Sequence, residues 1–320
     1  MKSDFSAHPD GPEDRFEEYD SEGTVGAIFH ALESNGYRAR RLGGGRRFVE
    51  EALRKPPDLV FNIAEGFGTR SREAHVPSVC EMLRIPYTHS DPLTCAVTLE
   101  KAEAKRVVAS HGIPTPRFAV VERPEQAEDL PLSFPVISKP LWEGSSMGIR
   151  RTSRATDPAS LAETVGRLVG DYGQPVLVEE FCSGPEFTVG ILGDGRPEAI
   201  AVMEIVPRVD RPEEFVYSLE VKRNYKVEVE YRVPPGRPRE LLRAVEDVAL
   251  GAYRALGCRD VGRVDIRVGA DGEPKFLEVN PLPGLNPVTS DIVILAGKAG
   301  MPYNDLIGKI VENARRRLSI

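Results

Sequence analysis

Asp265, Glu278 and Asn280 place two carboxylates and an amide on a single predicted hairpin within Gly262–Ser290, GRVDIRVGADGEPKFLEVNPLPGLNPVTS. Two alternating arms, Val264–Val268 and Lys275–Val279, flank Gly269-Ala270-Asp271-Gly272, a turn composition that joins antiparallel strands. Glu278 and Asn280 are two apart and so share a face, and the same rule puts Arg263 beside Asp265. Oxygen donors grouped in this way suit a hard cation such as Mg²⁺. Pro281-Leu282-Pro283-Gly284 cannot continue a strand and must turn. Metal, guanidinium and turning backbone together predict a phosphate-handling centre.

A second chemical stretch, Lys139-Pro140-Leu141-Trp142-Glu143-Gly144-Ser145-Ser146-Met147-Gly148, leaves a strand and enters a Gly/Ser loop. Its backbone N–H groups can cradle phosphates, the hydroxyls of Ser145 and Ser146 add donors, and Lys139 sets a charge at the strand end. No Gly-Lys-Ser/Thr ending is present, so this is not a Walker A loop. Val176–Phe181 runs from apolar residues into Glu179, Glu180 and Phe181, a set that can meet an adenine amino group, ribose hydroxyls and a base face. Read alone, that segment is a strand end with solvated acids. Lys101 and Lys105 lie one turn apart and are expected to be solvated. The histidines form no triad.

The elements that must carry these groups alternate. A helical period starts near Ser21 and stops at Gly36; Asp58–Ile63 reads as a buried parallel strand; Ser71–Leu83 is helical; Ile85–Thr88 is a second strand. Alternation of this kind implies an α/β layer, although a loop over residues 1–20 and a helix come before any strand. Leu99–Ser110 is a basic helix, Phe118–Val121 and Pro135–Lys139 are strands, and Asp157–Val169 is a helix capped by Asp157. Val176–Phe181, Glu186–Leu192 and Ala199–Val206 read as antiparallel strands by their alternation, and Asp210–Pro235 is a polar segment with the length of a lid. Helices over Arg239–Leu256, Asp291–Gly300 and Tyr303–Leu318 complete the chain.

The 320 residues suggest two or three domains, and 41% hydrophobic with 28% charged residues is ordinary for a globular chain. No apolar run approaches the roughly 20 residues that span a bilayer, and the acidic start has no signal-peptide core. Cys80, Cys95, Cys182 and Cys258 are scattered without a Cys-x-x-Cys pair, which argues against zinc and for a reducing, cytoplasmic setting. A formal net charge of −7 offers no footing for nucleic acid.

In order and spacing, IPYTHSDPLTCAVTLEKAEAKRVV, KPLWEGSSMGI, VLVEEFCSGPEFTVGIL, the Lys222 region and GCRDVGRVDIRV with FLEVNPLPGL resemble the ATP-grasp superfamily, and within it the D-alanine–D-alanine ligase family. The resemblance runs from about Asp58 to the end. It implies an α/β chain, α+β in its ATP-binding part: a Rossmann-like pre-ATP-grasp domain over 1–95, a central ATP-grasp subdomain over 96–182, and a C-terminal subdomain over 183–320 with metal site and lid. It also implies ATP and two Mg²⁺ ions (with Mn²⁺ as a substitute), small amino-acid substrates, no nucleic acid or membrane partner, and a homodimer.

Residue by residue, Lys101 and Lys139 match lysines that hold ATP phosphates, and Ser146 sits in the same loop. Glu179, Glu180, Phe181 and Glu186 match the adenine and ribose contacts, and Lys222 a lysine at the γ-phosphate. Asp265, Glu278 and Asn280 match the metal ligands, Arg263 the arginine at the transferring phosphate, Gly284 a backbone donor there, and Ser145 a serine near the first amino acid. Thr289 and Ser290 fall where the family holds the second carboxylate. Three segments depart from the pattern. EDRFEEYDSEGT replaces Gly-Gly-x-Ser-x-Glu, with Glu17, Glu18 or Glu22 as the acid for the first amino group; Glu65–Glu73 replaces a His-Gly and Gly-Glu-Asp-Gly segment; and the lid tyrosine is displaced to Tyr225.

The implied reaction is an ATP-driven peptide bond made through an acyl phosphate, the D-alanyl-D-alanine step of peptidoglycan biosynthesis. The alternatives are a carboxylate–amine ligase with another substrate pair, and a nucleotide-binding protein without catalysis. Keeping both lysines, Arg263 and the three oxygen donors argues against the last.

Overall fold

The computed structural model describes residues 11–208 and 211–320; the first half of the expected opening loop and Asp210, the first residue of the expected lid, lie outside it. Five helices come first: α1 Glu22–Ser34, α2 Gly45–Arg54, α3 His75–Leu83, α4 Pro92–Leu99 and α5 Lys101–Ser110. Then follow β1 Phe118–Val121, β2 Val136–Pro140, β3 Arg154–Ala155, α6 Pro158–Tyr172 and β4 Val176–Glu180. The remainder is β5 Glu186–Leu192, β6 Glu198–Pro207, α7 Leu219–Arg223, α8 Tyr225–Glu228, β7 Val229–Arg232, α9 Arg239–Ala255, β8 Val261–Val268, β9 Pro274–Asn280, α10 Asp291–Lys298 and α11 Tyr303–Leu318.

Two antiparallel sheets carry the chemistry. One has strand order β1-β4-β2-β3 and the other β7-β6-β5-β8-β9. Helix α6 starts as expected, with Asp157 accepting from Ser160 N at 2.9 Å and Pro158 in the first turn. It buries Leu161, Val165 and Leu168 against the first sheet, each contributing about 1.5–3 kcal/mol of hydrophobic stabilisation. Helix α9 lays Val245, Ala249, Ala252 and Tyr253 across the second sheet in the same way. No helix among the described residues is long and apolar enough to cross a membrane. All four cysteines are buried and unpaired thiols.

Sequence expectations change in three places. Neither Asp58–Ile63 nor Ile85–Thr88 forms a strand; among the described residues one parallel bridge, Val60 to Tyr87, joins the two segments. Side chains take over the backbone there, one distant in sequence and one local: Asn62 N donates to Thr88 Oγ1 and Ala64 N to Asn62 Oδ1, so no ladder extends. The basic helix over Leu99–Ser110 is broken at Glu100, whose extended backbone separates α4 from α5 and sets Lys101 in a new first turn. The polar segment after residue 210 is not loop throughout; it forms α7 and α8 and adds β7 to the edge of the second sheet beside β6.

Candidate active site

Between the two sheets lies a cleft in two connected parts. The inner part is built on β4. Glu179 is 1% exposed and takes Lys105 Nζ at 2.8 Å and the Lys139 ammonium, so two lysines from different elements share one carboxylate. Burial pushes that carboxyl up, but Lys105 and Lys139 outweigh it and hold it at about 2. Burial lowers Lys105, whereas Lys139, facing Glu278 and Glu186 as well, is raised. The expectation of solvated lysines in α5 is therefore wrong: Lys101 and Lys105 are both buried, because α5 packs its lysine face into the cleft. The solvated reading of Glu179 is wrong for the same reason, whereas Glu180 is half-buried and pairs with Arg117.

At the rim of this part, Phe181 carries two guanidinium groups over its ring, Arg267 at 4.5 Å and Arg154 at 5.2 Å. Arg267 stands opposite Glu186 across β5 and β8 and reaches it at 3.5 Å. Burial nonetheless pushes the Glu186 carboxyl up to about 7. An aromatic face, a carboxylate and Glu180 at one rim form a slot able to take a flat heterocycle and hydroxyls.

The hairpin meets this slot from the other sheet. β8 and β9 pair Asp265 with Glu278 and Arg263 with Asn280, and a bulge follows Asp265. Bulges re-aim side chains beside sites. Arg263 Nη2 lies 2.8 Å from Asp265, and Thr188 Oγ1 donates to Asp265 at 2.8 Å. Burial and the nearby Glu278 push Asp265 up, with Arg263 opposing. Glu278 makes no hydrogen bond among the described residues, yet Lys101, Lys139, Arg263 and Lys222 overcome its burial and lower it. Asn280 Nδ2 is buried without a partner.

A hard cation fits this donor set. An ionised carboxylate with free lone pairs and a second carboxylate are what an oxygen-ligated ion takes up, and the Asn280 amide can add its carbonyl oxygen, its unpaired Nδ2 being a donor that suits a phosphate oxygen instead. No three His, Cys, Asp or Glu side chains among the described residues converge to hold an ion alone. Phosphate oxygens would have to complete the shell, as is usual for Mg²⁺.

The Gly/Ser loop and the segment after residue 210 close the cleft from above. Ser145 and Ser146 both adopt left-handed backbone, φ 50° and 59°, a strained pair that persists only where surroundings enforce it. Ser146 Oγ donates to Tyr217 O at 3.2 Å, and Leu219 N to Ile149 O at 3.0 Å, which ties the loop to α7. Gly148, φ 74°, tolerates no side chain, since a Cβ would sit 2.5 Å from Pro140. Lys222 points from α7 toward Asp291, Asp265 and Glu278, and burial lowers it.

The outer part is a cavity of about 410 Å³. It gathers Glu17, Lys101, Ser145, Lys222, Arg263, Glu278, Asn280, Gly284, Thr289 and Ser290, while Lys139, Ser146, Glu179, Glu180, Phe181, Glu186 and Asp265 line the inner part. Of the residues matched to the family's site, all but Glu22 thus line one cleft. Glu17 and Glu18 differ in what they do there: Glu17 takes Arg223 of α7 at 3.1 Å, whereas Glu18 is spent on a buried pair with Arg72 at 2.7 Å. Glu22 pairs with Arg41 instead. Tyr225 stacks on Tyr231 and donates to Val288 O, while Tyr217, buried against Tyr231 and Asp291, is the tyrosine facing the inner part.

Several site residues escaped sequence reasoning. Asp14, fully buried, receives Gly148 N, Arg150 Nη2 and Tyr172 OH, and so clamps the opening segment onto the Gly/Ser loop. Nothing around it in sequence signals this. Glu65 and Glu73 line the outer cavity, and the only signal was that their segment departs from the expected pattern.

Comparison with known proteins agrees with this geometry. The family model described as the D-ala D-ala ligase C-terminus matches residues 107–312. An uncharacterized protein of Sinorhizobium fredii (strain NBRC 101917 / NGR234) is 33% identical over 299 residues, 91% of this chain and 87% of that one. The D-alanine–D-alanine ligase of Pelotomaculum thermopropionicum is 32% identical, covering 92% of each chain. That of Rhizobium meliloti is 34% identical, covering 90% of this chain and 91% of its own. Among solved structures, D-alanine–D-alanine ligase from Bacillus anthracis complexed with ATP shares the fold, with TM-score 0.73, 24% identity and coverage of 94% and 96%. The VanG D-Ala:D-Ser ligase from Enterococcus faecalis superposes with TM-score 0.66 at 25% identity, over 80% of this chain and 73% of that one.

Proposed function

The chain belongs to the D-alanine–D-alanine ligase family, and on that premise we propose that it is an ATP-dependent, ADP-forming ligase that joins two amino acids through an acyl phosphate. The observation that carries this reading is the register of β8 and β9, which puts Arg263, Asp265, Glu278 and Asn280 together between the Lys139–Glu179 slot and the outer cavity.

In this reading the adenine stacks on Phe181, with Glu179, Glu180 and Glu186 at its polar edge and the ribose. Lys101, Lys139 and Ser146 neutralise phosphates, and Lys222 meets the γ-phosphate. Asp265, Glu278 and Asn280 would hold Mg²⁺, which when bound supplies charge neutralisation and alignment of the phosphates. One substrate, its amino group held by Glu17 and Ser145 beside it, offers its carboxylate to the phosphoryl group. The amine of the second, its carboxylate at Thr289 and Ser290, then attacks the acyl carbonyl. Arg263 and the Gly284 N–H face the oxygen that gains charge, and phosphate leaves. The α7–α8 segment keeps water from the acyl phosphate. The enzyme would act in the cytoplasm as a homodimer, which sedimentation at working concentration checks.

The test is phosphate release with Mg-ATP and a panel of D- and L-amino acids, the products read by mass spectrometry. A dipeptide formed in step with phosphate supports the reading. Absence of phosphate release and of any dipeptide across the panel would sink it.

A further inference from the structure

The outer cavity has an acidic wall that the peptide-forming chemistry leaves unused. Glu18, Glu65, Glu73 and Glu143 face it, and one guanidinium, Arg72, stands among them. Arg72 is fully engaged: it donates to Glu18 at 2.7, 2.9 and 3.0 Å, to Glu143 at 3.2 Å and to Trp142 O at 2.9 Å. Glu73 is only 8% exposed and lines the cavity, yet neither it nor Glu65 makes a hydrogen bond or ion pair among the described residues. Lys101, the next cation, donates to the Glu143 carbonyl and lies 3.8 Å from Glu278.

The backbone holds this wall in place. Gly66, φ 72°, lets the chain turn so closely over Arg72 that a Cβ would sit 2.2 Å from the Arg72 carbonyl oxygen. Tyr19 OH donates to the Gly66 carbonyl at 2.8 Å. Burial and Glu18 push the Glu73 carboxyl up to about 8, with Arg72 and Lys101 opposing, and Glu65 is raised as well. Glu73 is buried and Glu65 half-buried, and a carboxyl so placed ionises at neutral pH where a cation meets it. Among the described residues no three acidic side chains converge on one point to hold a metal ion, so an organic cation is the better occupant. Arg72 is taken up by Glu18 and Glu143, so Glu65 and Glu73 are two carboxyl groups with no cation of their own within ion-pair distance among the described residues.

We infer that Glu65 and Glu73 form an ammonium-binding subsite, and that one of the two amino acids joined here is a diamino acid whose side-chain ammonium docks against them. This rests on the ligase reading. It assigns Glu65 and Glu73 to specificity and leaves the phosphoryl chemistry to the residues already named.

The experiment compares diamino acids (2,3-diaminopropionate, ornithine, lysine, both hands) with their uncharged counterparts alanine, norvaline and norleucine, in pairs, by phosphate release and mass spectrometry. At least one diamino acid should exceed its uncharged counterpart in kcat/KM by about tenfold or more, the worth of one charged hydrogen bond. Glu73→Gln and Glu65→Gln should remove that preference by raising KM for the diamino acid, with KM for ATP unchanged. Equal or better use of the uncharged acids, or a preference that survives both substitutions, overturns the subsite. If no pair is turned over, the ligase reading fails separately. Calorimetric binding of the same amino acids with a non-hydrolysable ATP analogue then decides the subsite: preference for the diamino acid, lost in Glu73→Gln, upholds it, and equal or absent binding overturns it.

Discussion

Asp265 and Glu278 stand directly opposite each other across β8 and β9, yet their carboxylates are in different settings: Asp265 is paired with Arg263 and accepts from Thr188, while the Glu278 side chain makes no hydrogen bond among the described residues. Glu278 is the member with lone pairs to give, and Lys101, Lys139, Arg263 and Lys222 keep it ionised. Glu278→Gln should cut Mg-ATP turnover by about 10²–10³-fold, the scale of losing one preorganised electrostatic contact. The far-ultraviolet circular dichroism should be unchanged. Steady-state kinetics across Mg²⁺ concentration checks this, and a variant with native half-saturation for Mg²⁺ and native kcat would remove Glu278 from the metal site.

Glu179 links acid stability to the nucleotide slot. Its folded value of about 2 lies below its ordinary 4.5, so its stabilisation is fully present above pH 4.5 and is lost as pH falls toward 2. The shift corresponds to about 3 kcal/mol. Glu179→Gln leaves two buried lysines without their counter-charge and should cost about 3–5 kcal/mol at neutral pH. Urea unfolding of both proteins at a series of pH values checks the sign: the gap between them should narrow below pH 4.5.

Glu73 makes the diamino preference depend on pH. Its carboxyl, raised to about 8 by burial and Glu18 against Arg72 and Lys101, binds a cation only when ionised. KM for the preferred diamino acid should therefore fall as pH rises through about 8, and Glu73→Gln should flatten that part of the profile. A wild-type profile identical to that of the variant would detach Glu73 from the effect.

Asp260 holds three parts of the chain together. Fully buried, it accepts from His89 N at 2.9 Å and from Arg317 Nε and Nη2 at 3.1 and 2.9 Å, so the segment before α4, the start of β8 and α11 meet on one carboxylate. Asn tolerates the left-handed backbone at this position, φ 63°, so Asp260→Asn removes the charge with little backbone cost. It leaves the Arg317 guanidinium, which keeps its bond to the Tyr87 carbonyl, without its counter-charge and should destabilise by about 3–5 kcal/mol. Denaturant unfolding measures it, and a change under about 1 kcal/mol would show that Arg317 finds other partners.

How much of this was legible in the sequence follows from the range of the forces involved. Period-two alternation and the Gly-Ala-Asp-Gly turn are local, so the hairpin and the shared faces of Arg263, Asp265, Glu278 and Asn280 could be read directly, and α11 was bounded residue for residue at Tyr303–Leu318. The spacing of short motifs likewise identified the family. Burial is not local. Whether Lys105 is solvated or locked on Glu179 depends on β4 arriving beside α5, and a lysine at helical spacing looks the same in both cases. The failed strand at Asp58–Ile63 was decided by Thr88, twenty-six residues beyond Asn62, capturing its backbone N–H. The acidic wall is the clearest case. Glu65 and Glu73 are ordinary surface types by composition, and only the turn at Gly66 and the diversion of Arg72 to Glu18, from a segment distant in sequence, leave Glu73 buried and Glu65 half-buried, without side-chain partners among the described residues, on the cavity wall.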